Sequence, residues 1–351
     1  MILRPCWFGL PGLFDCPDFD ESAWHDRVTA TDPKNLYAPH ENDGKFFNPW
    51  MPMEEKSIGT LLRWRLALAK DYRNGKNLSA AGGSGRGRSN PGYKNKDFIF
   101  WVGHGTFFMR INGQYWLTDP MFSDRALLPK RKTLPGITIH EILAITDQVN
   151  CIVSHNHYDH LDENSIRALP DTTRFFVPKG LKNFITDLGK PHVTEMDWWE
   201  SADLEDGTRL LCTPMQHWSR RIGQGFNTTL WASYLITAPE VSVYFDGDGG
   251  YFKGYREIGR RFPGIDYALI PITAYHPRWF MHYAHMNVSE AVRAFNDLGA
   301  DIFIPTQWGV FSLGDEPAGY PALDLRRTIA EKELDAGRFL IMNIGGLHLI
   351  E

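Results

Sequence analysis

The chain has 351 residues, of which 43% are hydrophobic and 23% charged, a composition typical of folded globular proteins. Its formal net charge of -5 argues against a general nucleic-acid binder, because that role needs an excess of Lys and Arg to neutralise phosphates. No apolar run approaches the ~18 residues of a membrane-spanning helix. Four cysteines in a chain of this length indicate no disulfide framework and suit a reducing, cytoplasmic compartment.

Residues 1–96 predict an N-terminal extension wrapped on the rest of the chain. Residues 1–43 are rich in Pro, Asp and aromatic side chains and lack the pattern of a signal peptide. A helix predicted over residues 57–72 carries an apolar stripe that we expect to pack into the core, formed by Leu61, Leu62, Trp64 and Leu68. The Gly- and Ser-rich residues 77–95 predict a flexible linker rather than a phosphate-binding loop, because no strand precedes them.

Residues 97–351 predict one catalytic domain of alternating strands and helices. Asn112-Gly113 separates two strand-like runs, residues 106–111 and 115–118, and predicts a hairpin. Further strands are predicted at 98–102, 150–154, 173–177, 209–213, 230–237, 241–245, 267–272, 302–305 and 338–343. Helices are predicted at 179–188, 251–261, 288–298 and 321–336. Hairpins followed by alternating strands and helices predict an α/β sandwich, with helices outside two sheets.

One short stretch between a predicted strand and a predicted helix start carries four metal-ligand side chains. It contains His155, His157, Asp159 and His160 within six positions. Imidazole nitrogens and carboxylate oxygens are ligands of zinc, iron and manganese. His155 and His157 can turn toward one ion, while Asp159 and His160 point toward a second position. The alternative, a histidine-rich surface loop, explains this spacing poorly, so the stretch predicts a metal centre.

Further ligands of such a centre must come from the ends of other strands. His217 closes the apolar run 210–217, Asp248 lies in a glycine-rich turn after the strand at 241–245, and Gln307 follows the strand at 302–305. Taken singly, these three side chains could be a capping residue, a turn aspartate and a surface amide. Their repetition at strand ends on one side of a sheet favours His217 and Asp248 as ligands.

These stretches resemble the metallo-β-lactamase superfamily and, within it, the family of N-acyl-phosphatidylethanolamine-hydrolysing phospholipases D and its bacterial relatives. The resemblance covers about residues 44–315. The histidine motif is typical of the superfamily, whereas the sequences at 197–200 (DWWE) and 277–281 (PRWFM) point to the narrower family. The other matching pieces are residues 47–50, 62–64, 101–106, 117–123, 213–218, 247–248, 274–276, 285 and 308–309. The resemblance implies an αββα sandwich, two mixed sheets with helices on their outer faces.

Carried over by position, the resemblance implies two zinc ions with a hydroxide between them. One zinc would be held by His155, His157 and His217. The other would be held by Asp159 and His160, with Asp248 bridging the two ions.

Three further positions match residues that the family places around the metals. His104 and Asp119 match residues beneath the site, where hydrogen bonds orient ligand imidazoles. His285 matches a histidine near the scissile group, which would steady the phosphate or protonate the leaving group. The resemblance thus gives Asp159, Asp248 and His285 as the catalytic residues.

Gln307 departs from the family pattern, which has a histidine before Trp-Gly. An amide oxygen is a weaker ligand than imidazole for zinc and more acceptable to harder ions. The second position could therefore be half-empty, favour iron or manganese, or recruit another side chain, for which His276, His282 and His285 are the candidates. The alternative is that Gln307 is not a ligand and a water takes its place.

The resemblance implies a phospholipase D-type phosphodiesterase that releases N-acylethanolamine and phosphatidic acid from an N-acylated phospholipid. An apolar channel beside the metals would suit that lipid, and the candidate substrate-binding residues are Trp218, Tyr275, Trp279 and Arg278. The alternatives are a hydrolase of a small soluble ester or sugar-phosphate lactone and, behind it, an iron-dependent redox enzyme. A homodimer, at most peripheral membrane contact and a cytoplasmic location are the remaining expectations.

Overall fold

Two mixed β-sheets face each other across a large apolar core. The computed structural model describes residues 17–53, 55–66 and 95–350. The strands are β1 Glu41–Asn42, β2 Lys45–Phe46, β3 Phe98–Gly103, β4 Thr106–Ile111, β5 Gln114–Thr118, β6 Asn150–Ile152, β7 Arg174–Pro178, β8 Val193–Met196, β9 Ser201–Asp203, β10 Arg209–Thr213, β11 Ser233–Thr237, β12 Ser242–Phe245, β13 Tyr267–Pro271, β14 Ile302–Thr306 and β15 Leu347–Leu349. The helices are α1 Glu21–Thr29, α2 Ile58–Leu66, α3 Ile139–Leu143, α4 Glu163–Ala168, α5 Lys182–Asp187, α6 Gly254–Arg261, α7 Arg278–Met281, α8 Val288–Leu298 and α9 Tyr320–Glu331, with short 3-10 helices at Pro33–Tyr37 and Ala336–Arg338.

The seven-stranded sheet has the order β15-β3-β4-β5-β6-β7-β8, and the six-stranded sheet has the order β14-β13-β12-β11-β10-β9. Each sheet combines antiparallel and parallel pairs; β4 pairs antiparallel with β5, for example, while β5 pairs parallel with β6. The hairpin between β4 and β5 is confirmed. Its two turn residues, Asn112 and Gly113, both have positive φ, which is the conformation of the tight turn that the Asn-Gly pair predicts.

Side chains of the seven-stranded sheet alternate between two apolar layers, because successive residues of a strand point to opposite faces. Ile99 and Trp101 of β3 face the large core shared with the six-stranded sheet. Phe98 and Phe100 face a second core, which buries Ile142 of α3, Ile166 of α4 and Ile185 of α5. Helices α6 and α8 contribute to the large core beside the six-stranded sheet. This confirms the α/β sandwich of two mixed sheets with helices.

Residues 17–53 lie along the six-stranded side of the sandwich. The indole of Trp24 donates to Glu290 of α8 over 3.2 Å, and the main-chain N–H of Phe46 donates to Asn227 over 2.8 Å. Asn48 and Trp50 reach the residues around His217: the amide of Asn48 donates to the carbonyl of His217, and the indole of Trp50 donates to Gln216. This segment therefore supports the loop on which His217 lies.

Several sequence predictions need correction. The strand at 338–343 is wrong, because Arg338 belongs to a 3-10 helix and the rest contacts β14 only through a single bridge at Phe339; the last strand is β15 instead. The short strands β8 and β9 were not predicted, since their partly exposed residues carry little hydrophobic pattern.

Helix α2 also differs from its prediction. Leu61 and Leu62 do not pack into the core: they are exposed, and only Trp64 is buried. Residues 67–72 of the predicted helix, residues 77–94 of the predicted linker and residues 1–16 lie outside the described part of the chain. Over the described residues, every helix is too short or too polar to cross a membrane.

Candidate metal centre

The predicted ligands come together where strands of both sheets end. The stretch 155–160 follows β6, His217 follows β10, Asp248 follows β12 and Gln307 follows β14. His104 lies in the turn between β3 and β4, and Asp119 follows β5 directly. Positive φ angles at His104, Asp119, Gly247 and Gln307 show that the chain turns sharply at these strand ends.

Three imidazole nitrogens converge to form what we call the first metal position. His157 Nδ1 lies 2.8 Å from His155 Nε2 and 3.2 Å from His217 Nε2. Asp248 completes the group with Oδ2 3.5 Å from His217 Nε2, and the four ligand atoms all lie within 4.8 Å of one another.

A metal ion would satisfy the converging nitrogens of the first metal position better than hydrogen bonds among the three rings can. Burial lowers the pKa of His155 and His217 well below the usual range and that of His157 to about 4, so all three rings are neutral near pH 7. A neutral imidazole carries one N–H, so three converging nitrogens cannot all be paired by hydrogen bonds. His155 Nδ1 and His217 Nδ1 already face Ser154 Oγ and the Ala284 carbonyl, which accept hydrogen bonds and leave both Nε2 lone pairs pointing inward. Inward lone pairs on neutral rings are the condition for metal binding.

A second group, His104, Asp159 and His160, lies beside the first and defines the second metal position. Asp159 Oδ2 is 2.9 Å from His104 Nε2 and 3.4 Å from His160 Nε2. Asp248 Oδ2 is 3.7 Å from His160 Nε2, so the same carboxylate oxygen lies near ligands of both positions. This is where a bridging ligand belongs.

Asp119 orients the ligands from beneath. Its Oδ2 accepts from His160 Nδ1 and from Ser154 Oγ, each over 2.6 Å, and its Oδ1 accepts from the Ser154 N–H over 2.6 Å. Ser154 Oγ in turn lies 2.9 Å from His155 Nδ1. The sequence prediction omitted Ser154; its place, a hydroxyl directly before a predicted ligand at a strand end, was the available signal.

At the second metal position, neighbouring groups of opposite charge favour the ionised forms of His160, Asp159 and Asp248. Burial alone would lower the pKa of His160, but the Asp159 and Asp119 carboxylates outweigh it and raise that pKa well above its usual range. Burial likewise opposes ionisation of Asp159 and Asp248, yet the neighbouring histidines hold both carboxyl pKa values below their usual range, His160 for Asp159 and His285 for Asp248. Both carboxylates are therefore ionised and ready to bind a cation.

His285 contacts the centre through Asp248: its Nδ1 is 3.1 Å from Asp248 Oδ1, and its ring is partly exposed. Trp218 lies against His157, with ring centroids 4.5 Å apart. Among the alternatives for the second position, His282 turns away and donates to the carbonyl of Arg278, and His285 approaches Asp248 rather than Asp159. His276 donates its main-chain N–H to Glu316.

Two of the predicted substrate-binding residues have other partners. Arg278 is paired with Glu21 over 2.7 Å and Glu290 over 2.8 Å, which neutralise the charge predicted to face a phosphate. The hydroxyl of Tyr275 donates to Asp324 of α9 over 2.6 Å. Trp279 packs beside Phe280 in a small apolar cluster with Trp64 of α2.

The family model described as "Beta-lactamase superfamily domain" matches residues 115–308, which is more than half of the chain. The chain therefore belongs to the β-lactamase superfamily.

Among relatives, the chain is similar to an uncharacterised protein of Mycobacterium tuberculosis, with 38% identity over 64% of this chain and 61% of the relative. It is also similar to N-acyl-phosphatidylethanolamine-hydrolyzing phospholipase D 1 of Caenorhabditis elegans, with 32% identity over 62% of this chain and 65% of that protein. A mitochondrial enzyme of the same name from Saccharomyces cerevisiae is 35% identical over 65% of this chain and 50% of that protein. The matches thus span less than two thirds of each relative's length.

The fold is shared with solved structures of low sequence identity. A possible metal-dependent hydrolase from Veillonella parvula superposes with a TM-score of 0.60 over 73% of this chain and 100% of that one, at 16% identity. CmlA, a diiron β-hydroxylase from Streptomyces venezuelae, superposes with a TM-score of 0.52 over 73% of this chain and 54% of that one, at 21% identity. These two likenesses show the sandwich fold alone.

Proposed function

We propose that this chain is a metal-dependent phosphodiesterase of the phospholipase D type, which hydrolyses an N-acylated phosphatidylethanolamine to N-acylethanolamine and phosphatidic acid. The observation that carries the proposal is the pair of adjacent ligand groups that share Asp248, because a phosphodiester needs charge stabilised on both the attacking and the leaving oxygen. The two relatives named for this activity supply the substrate class.

The residues divide the work as follows. His155, His157 and His217 would hold one metal ion, and Asp159 and His160 the other, with Asp248 between them. When bound, such a pair of ions lowers the pKa of water to near 7 and stabilises negative charge on phosphoryl oxygens. Zinc at both positions matches the imidazole-rich ligand set, with iron or manganese as the alternative at the second position.

We infer that His285 protonates the leaving group. Its Nδ1 contacts Asp248 Oδ1, which leaves Nε2 as the atom that can donate a proton to the departing alcohol oxygen of the N-acylethanolamine. Asp248 therefore orients the proton donor through one oxygen and faces the metal ligands through the other. Asp248 would therefore contact both the residues that hold the metal ions and the residue that protonates the leaving group.

Helix α2 favours a lipid over a small soluble substrate. Ile58 and Leu62 are 79% and 52% exposed, and Leu61 and Leu66 lie on the same face with Arg65 among them. Exposed apolar side chains with basic residues on a helix fit the boundary of an anionic bilayer. Helix α2 packs on α7, since Trp64 stacks on Phe280 with 4.5 Å between ring centroids, and the carbonyl of Met281 in α7 accepts from the His285 N–H over 3.1 Å.

The test is hydrolysis of N-acyl-phosphatidylethanolamine in mixed micelles and in H₂¹⁸O, with products followed by mass spectrometry. Release of N-acylethanolamine with ¹⁸O in the phosphatidic acid is the expected result, because attack occurs at phosphorus. A chelator and the Asp248→Asn variant should both abolish release. If metal-loaded protein leaves the phospholipid intact but cleaves a soluble ester or lactone, the lipid assignment is wrong and the soluble-substrate alternative holds.

A further inference from the structure

We propose that His104 is a direct ligand of the second metal position, taking the place that the resembling family gives to a histidine at position 307. The assignment rests on the metal centre of the proposed function and is independent of the lipid substrate. His104, which the sequence predicts only to orient other ligands, would then bind the ion itself.

The Nε2 nitrogen of His104 lies beside the ligand atoms of the second metal position. His104 Nε2 is 2.9 Å from Asp159 Oδ2, which is itself 3.4 Å from His160 Nε2, and the three atoms lie within 4.8 Å of one another. Ligand atoms around one tetrahedral zinc, at about 2.0–2.2 Å from the ion, are roughly 3.2–3.6 Å apart. Asp159 and His160 have this spacing, whereas the 2.9 Å between His104 Nε2 and Asp159 Oδ2 is shorter and would have to widen around a shared ion.

The other ring nitrogen of His104 faces a main-chain carbonyl. His104 Nδ1 faces the carbonyl oxygen of Gln307 at 3.4 Å, as His217 Nδ1 faces the carbonyl of Ala284 at 3.2 Å. Metal-binding histidines characteristically donate their second ring N–H to a carbonyl or carboxylate in this way. His104 thus has the same orientation as a histidine already assigned to the first position.

The hydrogen-bond partners of His104 also favour a ligand role. Both ring nitrogens of the fully buried His104 face oxygen acceptors, Asp159 Oδ2 and the Gln307 carbonyl. A neutral ring has one N–H, so in either tautomer one lone pair would point at an oxygen. With the N–H on Nδ1, toward the Gln307 carbonyl, the Nε2 lone pair points toward Asp159 and His160, as the lone pair of a ligand must.

Gln307 turns its amide nitrogen, and not its amide oxygen, toward His160. Its amide nitrogen donates to the Gly247 carbonyl over 2.9 Å and lies 3.5 Å from His160 Nε2. The reversed amide would place oxygen against oxygen at Gly247, which fixes the orientation. An amide NH₂ has no lone pair for a metal. The side chain therefore presents its amide nitrogen to His160, while its Oε1 is buried without a hydrogen-bond partner.

The test compares His104→Ala with Gln307→Ala by counting bound zinc after dialysis and by titrating the protein against a chromophoric chelator. His104→Ala should retain one ion per chain and weaken the second by more than 100-fold, beyond the 10- to 100-fold that loss of an orienting residue costs. Gln307→Ala should retain both. The double variant His104→Ala, Gln307→His should recover the second ion, because it restores a histidine at the family's position.

The opposite pattern, loss of the second ion in Gln307→Ala and its retention in His104→Ala, would overturn the assignment. A variant that misfolds is bypassed by a measurement on the unmodified protein: ¹¹³Cd–¹⁵N coupling in ¹⁵N-histidine-labelled chain loaded with ¹¹³Cd. A coupled His104 Nε2 supports the ligand role, and an uncoupled one refutes it. None of these readouts uses the phospholipid, so a failed lipid assay leaves them unaffected.

Discussion

Replacing Asp119 with Asn tests whether the hydrogen bonds beneath the centre control metal affinity. The carboxylate is fully buried and accepts three hydrogen bonds of 2.6 Å, from Ser154 N, Ser154 Oγ and His160 Nδ1. In the variant, an NH₂ group replaces Oδ2 and faces the N–H of His160. One buried donor left unpaired costs about 1–3 kcal/mol in the free energy of unfolding.

The same change should weaken metal binding about 10- to 100-fold, because His160 loses the partner that fixes its tautomer and ring orientation. Chelator competition measures the affinity, and thermal unfolding of the metal-free protein measures the stability. The control is Asp97→Asn, since Asp97 also accepts from a side chain, Arg110, and from main-chain N–H groups of the β4–β5 hairpin, at the opposite end of β3 and β4 from the turn that carries His104. If Asp119→Asn loses stability as the control does but binds zinc like the unmodified protein, the orienting role is refuted.

Three further predictions follow from the described contacts. His285→Gln should lower kcat about 10²- to 10⁴-fold with the metal content unchanged, because only the proton donor is lost; a fall in bound zinc would instead mark His285 as a ligand. Burial raises the carboxyl pKa of Glu316 from 4.5 to about 7, so between these pH values the folded chain keeps a proton that the unfolded chain has lost. The free energy of unfolding should therefore fall by about 3 kcal/mol as the pH rises from 4.5 to 7. Glu316→Gln should flatten that pH dependence in urea titrations, and an unchanged slope would show that the carboxyl is not the cause. Gly250→Ala should destabilise the chain by at least about 1–3 kcal/mol, because its Cβ would lie 2.0 Å from the Tyr283 carbonyl oxygen. Gly59→Ala, whose Cβ would have its nearest neighbour at 3.6 Å, should not destabilise it. Equal melting temperatures of the two variants would contradict the packing at Gly250.

The sequence predicts long, capped elements of the fold better than short, partly exposed strands. Helix α8 begins and ends at the predicted residues, because Asn287 and Glu290 form a capping box and Gly299 closes the helix with positive φ. Strands β8, β9 and β15 escape prediction since each is three or four residues long and only partly buried. Their pairing depends on neighbours that no local pattern reveals.

In the candidate site, ligands that lie on one loop could be predicted, whereas contacts between distant segments could not. The spacing of His155, His157, Asp159 and His160 predicts ligands because a single loop carries all four. The convergence of His104 with Asp159, by contrast, depends on the β3–β4 turn reaching a loop 55 positions away along the chain. The exposure of Leu61 and Leu62 was also hidden, since a helical apolar stripe looks the same whether it faces a core or the outside.

The ligand-bearing strand ends belong to different sheets: β6 to the seven-stranded one, β10 and β12 to the six-stranded one. An ion held by His155 and His217 is therefore a cross-link between the two halves of the sandwich, comparable to a reversible disulfide. Ligands that bind only the folded state stabilise it by mass action, by about 4 kcal/mol at a thousand times the dissociation constant. A metal ion bound there would thus also tie the two sheets together at the edge where their ligand-bearing strands end.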